Sequence, residues 1–235
     1  MADVSITKKP TKKVGSLSTP AVTWGSDPSW KATWKVPSAL TSGKKKDRAQ
    51  KLRVRWLLSG GAKGGTDLVG KNDGLKEWKL ALSSTSQTVS MSQIKGRASW
   101  YPVTNHILQF VNVSVAPYNK VGEGPVTSKY FTIKPPANPS VGVSAIDGET
   151  GNVTVTVNTP ASSGAHERYD TRYAITKYDS RTGKWTTLAN TSTTSTAISP
   201  SYDASDYQSL NATQHVEYRV EAWARGLAGD SGHVT

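Results

Sequence analysis

The histidines are the first residues to test for chemistry. His106, His166, His215 and His233 lie far apart, and none has a second His or a carboxylate at metal-ligand spacing. His106 and His215 fall near the starts of two similar segments, which reads as a structural echo rather than as catalysis. Glu167 with Asp170, or Asp203 with Asp206, could face one another as paired carboxylates, but nothing else marks a glycosidase site. Cysteine is absent, so disulfides and thiolate metal sites are excluded. Gly60, Gly61, Gly64, Gly65, Gly70 and Gly74 form a glycine-rich stretch without the Gly-x-x-x-x-Gly-Lys-Ser/Thr pattern of a phosphate cradle. Asn-x-Ser/Thr occurs at Asn112, Asn152, Asn190 and Asn211, as chance allows in a Ser/Thr-rich chain. The expectation is a protein without catalytic residues, cofactor or metal, and not an enzyme.

Charge offers a different chemistry. Residues 1–135 hold 22 Lys and Arg against 7 Asp and Glu, a balance of +15, while residues 136–235 hold 7 against 10, a balance of −3. One half therefore attracts anionic partners, or the two halves attract each other between copies. The candidate partner-binding residues are Lys8, Lys9, Lys12 and Lys13 near the N-terminus, Lys44, Lys45, Lys46 and Arg48 in a basic loop, and Arg53 and Arg55 on the polar face of a strand. Trp100 and Tyr101 join them, because with Trp24 they fall outside clear strands and are free to meet a partner. Phosphate tracking by the cations with base stacking on the aromatics would make a nucleic-acid site. Most tryptophans, however, share the parity of apolar strand residues and belong to a core.

The elements that position these residues are strands. Val111, Val113 and Val115 alternate with Asn112 and Ser114, the two-residue period of a strand with one buried face. Asn119, Gly122, Gly124 and Pro125 then supply turn chemistry. About a hundred residues later Val216, Tyr218, Val220 and Ala222 alternate with Glu217, Arg219 and Glu221, and a Gly-rich turn follows again. Trp30, Ala32, Trp34 and Val36 alternate with lysines and threonine up to Pro37. Leu52, Val54 and Trp56 alternate with Lys51, Arg53 and Arg55. The second half repeats this order: Val153, Val155 and Val157 run to Pro160, Tyr173 and Ile175 match Val54 and Trp56, and Trp185 is the counterpart of Trp78. No long segment has a helical period, and no apolar run approaches the roughly 18 residues of a membrane span. Residues 1–19 are polar and basic without apolar periodicity, so they read as a flexible arm and not as a secretory signal. The residues between 60 and 74 read as a long loop.

The organisation expected is therefore all-β. It comprises a flexible basic arm at residues 1–19, a basic β-sandwich at 20–134, a stiff Pro-rich linker at 135–139 and a slightly acidic β-sandwich at 140–235. At this point the residues resemble the fibronectin type III family. Trp34 precedes Pro37 as in that family's second strand, and Val113 and Val115 lead into Asn119, Gly122 and Gly124. Leu210 and Val216 fall where the family has a leucine and its corner tyrosine; the tyrosine is replaced in both halves, by Val111 and Val216. The strand after Gly229 is short and open to completion by further sequence or by a neighbouring subunit.

A cysteine-free, Thr/Ser-rich tandem of this kind resembles virion structural proteins of tailed bacteriophages. That resemblance implies a non-enzymatic tail, baseplate or capsid-decoration protein, assembled in the host cytoplasm. Its partners would be other virion proteins and copies of itself, with no small-molecule substrate and no membrane span. Fibronectin-like modules also accompany secreted polysaccharide-degrading enzymes, so an extracellular adhesion module is the second expectation. Saturable sugar-array binding lost on Trp100→Ala would select it.

Overall fold

The computed structural model describes residues 6–42, 48–62, 74–94, 106–204 and 210–235, with the backbone alone at 61, 62, 74, 106 and 107. The chain divides into two compact units, Met1–Ile133 and Lys134–Thr235. The strands of the first are β1 (Ala21–Thr23), β2 (Ser29–Thr33), β3 (Lys51–Ala62), β4 (Gly74–Leu80), β5 (Ser86–Ser90), β6 (His106–Asn119), β7 (Gly122–Glu123) and β8 (Thr127–Thr132). A single helical turn, α1 (Ser38–Ser42), follows Pro37 and buries Leu40. All strand pairings are antiparallel: β1-β2-β5 form one sheet, while β4-β3-β6 form the other, with β7 and β8 both on the far side of β6.

Side-chain parity explains why these segments stack as a sandwich. On β3, Leu52, Val54, Trp56 and Leu58 are buried, and on β6 so are Val111, Val113 and Val115. Opposite them, β2 and β5 bury Trp30, Ala32 and Val89. Burying a side chain of this size is worth roughly 1.5–3 kcal/mol, so the alternation fixes which face of each sheet turns inward. Two indoles also find polar partners: Trp56 Nε1 donates to Gln87 Oε1 at 3.0 Å across the sandwich, and Trp34 Nε1 donates to the Ser84 carbonyl at 2.7 Å.

The second unit repeats the plan. Its strands are β9 (Ser140–Val143), β10 (Asn152–Asn158), β11 (Asp170–Asp179), β12 (Lys184–Thr193), β13 (Ala197–Ile198), β14 (Ser201–Asp203), β15 (Val216–Gly226) and β16 (Gly229–Asp230). One sheet joins β9, β13 and β14 to β10, and the other runs β12-β11-β15-β16. Val155, Val157, Ile175, Val220 and Ala222 form its core, with Val141, Tyr173, Leu188, Ile198 and Tyr202 packed around them. The protein is thus all-β, two tandem sandwiches in one chain.

Three expectations need correction. Ile6 to Thr19 is not a free arm. Val14, Leu17 and Pro10 are buried, Gly15 exchanges backbone hydrogen bonds with Lys35 at 2.8 and 2.7 Å, and Ser18 N donates to Thr33 O at 2.8 Å. The buried Asn119 holds the segment: its Nδ2 donates to the carbonyls of Lys8 (2.8 Å) and Arg48 (3.0 Å), while its Oδ1 accepts from Val121 N (2.9 Å) and Gly122 N (3.3 Å). Gly124 matters for the same reason, since a Cβ there would stand 2.6 Å from the Pro10 carbonyl oxygen. The sequence alone hides this, because the three apolar anchors are unevenly spaced among lysines.

Gly60, Gly61 and Gly74 belong to β3 and β4 rather than to a loop, whereas Gly64, Gly65 and Gly70 lie outside the described residues. Of residues 135–139, expected as a linker, Pro135 and Asn138 are bonded into the second unit, and so is Lys134 before them. Lys134 N donates to Ala165 O at 2.8 Å, Pro135 O lies 2.7 Å from His166 Nδ1, and Asn138 Oδ1 accepts from Gly232 N at 2.9 Å.

Asn119→Ala leaves buried carbonyls and amides without partners, at a cost of about 2–4 kcal/mol. The expected outcome is a lower urea midpoint followed by tryptophan fluorescence, together with faster tryptic cleavage after Lys8, Lys12 and Lys13, the Lys9–Pro10 bond being resistant to trypsin. Unchanged cleavage would show that Asn119 does not pin the segment.

Candidate interaction surface

Among the described residues, the outer face of the β4-β3-β6 sheet gathers two arginines and two glutamates of the first unit. Arg53 and Arg55 point outward because their neighbours Leu52, Val54 and Trp56 point in. Register then brings carboxylates to them: Glu77 on β4 is directly opposite Arg55, and Glu123 on β7 is opposite Tyr118. Arg55 Nη1 and Nη2 donate to the two Glu123 oxygens at 2.8 and 2.6 Å, and Arg55 Nε donates to Glu77 at 2.9 Å. Arg53 Nη1 donates to Glu123 at 2.8 Å, while its Nε lies 3.1 Å from Glu77 as an ion pair off the hydrogen-bond direction. The Arg53 guanidinium also stands 5.0 Å from the Tyr118 ring centroid, with Lys79 Nζ at 6.0 Å.

Two arginines and two glutamates thus form one half-buried network, and Ala116, opposite Arg53 on β6, is almost fully covered. The Arg55 hydrogen bonds hold the Glu123 carboxyl below its ordinary range, with burial opposing and Arg53 assisting. The same bonds to Glu123 raise the Arg55 guanidinium. Arg53 and Arg55 are therefore committed to carboxylates, which corrects the expectation that they track a partner's phosphates.

The structure places the other expected residues as follows. Lys8, Lys9, Lys12 and Lys13 are exposed along the pinned segment, with the Lys9 side chain beside Gly122 and so next to Glu123. Arg48 is half-buried: its carbonyl accepts from Asn119, and its Nη2 lies 3.4 Å from Ser42 O. Lys44, Lys45, Lys46, Trp100 and Tyr101 lie outside the described residues. Trp24 packs on Phe131, with ring centroids 6.4 Å apart, instead of facing a partner.

In the second unit the expected acid pair is two separate devices. Glu167 is buried and its carboxylate accepts from Leu227 N at 2.6 Å. Asp170 binds the Arg225 guanidinium through both oxygens. Gly226 fits between them and the chain because a Cβ there would collide with the Glu167 carbonyl. Asp203 lends its carbonyl to Tyr218 Oη at 3.0 Å, and Asp206 lies outside the described residues.

Trp185 also departs from expectation. Trp78 pairs with core-facing Val54, whereas Trp185 pairs with outward-facing Tyr178, so the two are not counterparts. Their difference in facing goes with a bulge between Ile175 and Thr176 in the β11–β12 register. Trp185 is 43% exposed, lies 5.3 Å from Tyr178 and has the Arg219 guanidinium 4.3 Å from its ring centroid. His215 stands 5.7 Å from Tyr178; His233 stacks on Trp223 at 4.4 Å, and its Nδ1 is 2.7 Å from Glu221. No group of three or more His, Asp or Glu among the described residues is placed to hold a metal, and no described helix is long and apolar enough to cross a membrane.

Together these features define an all-β protein of two tandem β-sandwiches whose polar side chains bridge strands and turns. Among solved structures, the chain is similar to a two-domain fibronectin type III segment of chicken tenascin: 13% identity, 95% of this chain, 97% of that one, TM-score 0.36. It is also similar to the first three fibronectin domains of chicken contactin: 14% identity, 96% of this chain, 65% of that one, TM-score 0.33. No protein-family model matches the chain, and no curated protein sequence matches it.

Sequence reasoning missed Glu77, Tyr118, Glu123 and the bonding role of Asn119. Glu77 could have been found, since it is the single acid among Lys76, Lys79 and the neighbouring arginines. Glu123 sits between two glycines of a turn, where nothing in the sequence points it at β3.

Glu123 supplies a pH test. Its folded value lies below the ordinary 4.5, so its contribution is complete above that pH and is lost as pH falls through the folded value. The first unit's unfolding midpoint should therefore drop on acidification below 4.5, and Glu123→Gln should lower it at pH 7 while flattening that acid slope. Parallel wild-type and variant curves from pH 7 to 3 would remove Glu123 from the account.

Proposed function

We propose that the protein is a non-enzymatic assembly component of a tailed bacteriophage particle, in its tail, baseplate or capsid decoration. It docks through the basic first unit, among other virion proteins and copies of itself. The observation that supports this most is the pinned segment. Lys8, Lys9, Lys12 and Lys13 stay exposed while Asn119, Val14 and Leu17 fix the backbone beneath them. Fixed cations lose little freedom on contact, so they suit a surface that meets an acidic partner in one register. Assembly takes place in the host cytoplasm, and the chain carries no chemistry of its own.

Adhesion to polysaccharide is the second reading, and the exposed Trp185 and Tyr130 (65% exposed) favour it. Nucleic-acid binding loses support because the paired guanidiniums of the first unit are occupied by Glu77 and Glu123.

Mass spectrometry of particles purified from infected cells should find the chain in stoichiometric amount. Replacing Lys8, Lys9, Lys12 and Lys13 by Glu should abolish its incorporation while leaving the melting curve near that of the wild type, since all four are exposed. Absence from particles, with saturable binding on a sugar array, would replace this reading by adhesion. Steeply salt-dependent retention of DNA on a filter would replace it by nucleic-acid binding.

A further inference from the structure

A tryptophan that faces water needs a cause, and in the second unit the cause is an extra residue. On β12, Ala189 pairs with Ile175 and Thr187 with Thr176, so the register skips Leu188, which packs on the core. Counting back from the Ala189–Ile175 pair without that step would set Trp185 opposite Asp179. A shift of one position exchanges the faces of a strand. With the step, Trp185 stands opposite outward-facing Tyr178 and remains 43% exposed. Bulges of this kind re-aim single side chains and are common beside functional sites.

Two more rings join it. Strands β12 and β15 flank β11, so Trp185 and His215, just before β15, approach Tyr178 from opposite sides. Their ring centroids lie 5.3 and 5.7 Å from that of Tyr178, tilted by 42° and 40°. The backbone under His215 is fixed: His215 N donates to Ser180 Oγ at 2.7 Å, and Ser180 N donates to the His215 carbonyl at 3.0 Å. From β15 the Arg219 guanidinium stands 4.3 Å from the Trp185 ring centroid, and its Nη2 donates to Glu217 Oε1 at 3.3 Å. Strand register therefore holds three rings, a guanidinium and a carboxylate together on one face, which is the rigid support a binding site needs.

Charge narrows what this platform can take. Arg219 is paired with Glu217, and Arg181 in the adjoining turn is paired with Asp179 at 2.6 Å. The half of the chain that carries the platform has a balance of −3, which repels a polyanion. A neutral saccharide matches what remains. A pyranose ring has C–H groups on its faces and hydroxyls around its rim. The faces suit an indole, whose π-face is electron-rich. The hydroxyls donate and accept, so they can bond a carboxylate and a guanidinium at once.

We propose that the outer face around Trp185, Tyr178 and His215 binds a neutral saccharide, one sugar ring stacking on Trp185 while its hydroxyls bond Arg219 and Glu217. The site gives the adhesion reading a place in the second unit and rests on that reading for the class of ligand. It requires nothing of the particle reading.

The full chain is tested on an array of neutral cello-, xylo-, malto- and manno-oligosaccharides beside sulfated and uronic-acid glycans. At least one neutral glycan should be retained saturably. Trp185→Ala should weaken that binding about tenfold or more, and Trp185→Phe by less. Tyr130→Ala and Trp100→Ala should leave it unchanged. Titrating the isotope-labelled wild type with the retained oligosaccharide gives a readout that needs no stable variant: the Trp185 indole N–H resonance should shift and saturate with the array affinity. Binding should change little between about 50 and 500 mM salt, because no ion pair with the ligand is made. Binding that survives Trp185→Ala, or an indole resonance that stays put while glycan binds, would overturn this site and leave the adhesion reading standing. Retention of anionic glycans alone would overturn the neutral ligand. No retention of any glycan would overturn site and adhesion reading together.

Discussion

The pleat of β3 is the constraint on which the first unit depends. A strand cannot turn Leu52, Val54 and Trp56 to the core without turning Arg53 and Arg55 to the other side. Core and charged face are therefore one decision. The buried side chains fix the register of β3 against β4 and β6, and that register decides which carboxylates the arginines meet. Glu77 comes directly from it; Glu123 comes from the turn that ends β6 at Asn119. The same turn binds the N-terminal segment, so charged network, turn and pinned lysines share one mechanical base.

The fold was legible because period-two alternation is a strong local signal. Val111, Val113 and Val115 declared β6, and Val216, Val220 and Ala222 declared β15, without help from any contact. What escaped was set by tertiary pairing. Arg53 and Arg55 looked free because their partners lie 22 to 70 residues away. Trp185 looked like Trp78 because counting along a chain does not see the hairpin register that sets it opposite outward-facing Tyr178, and a register change of one residue moves a side chain to the other face. The segment from Ile6 to Thr19 looked loose because Pro10, Val14 and Leu17 follow no helix or strand period; they fill gaps at a sandwich edge instead.

Charge makes the same point about composition. The first half's excess of cations is real, but it divides by residue type. The arginines of β3 are spent internally, where a planar fork meets two carboxylates at once. The lysines at 8, 9, 12 and 13 are compact charges on flexible stems and remain outward. Net charge therefore overstates the surface available to an anionic partner, because Arg53 and Arg55 are spent on Glu77 and Glu123.

The two units repeat one plan with differently built edges. Both use a long strand flanked by a pairing partner and followed by a Gly-rich turn. In the first unit the returning strand β8 lies along residues 110–115 and closes the edge. In the second the return is β16 and Val234, which reach back only to Ala222. A sandwich edge with backbone groups and an apolar groove side by side is costly to leave in water. Unit 1 removes that cost within itself by laying β8 along β6.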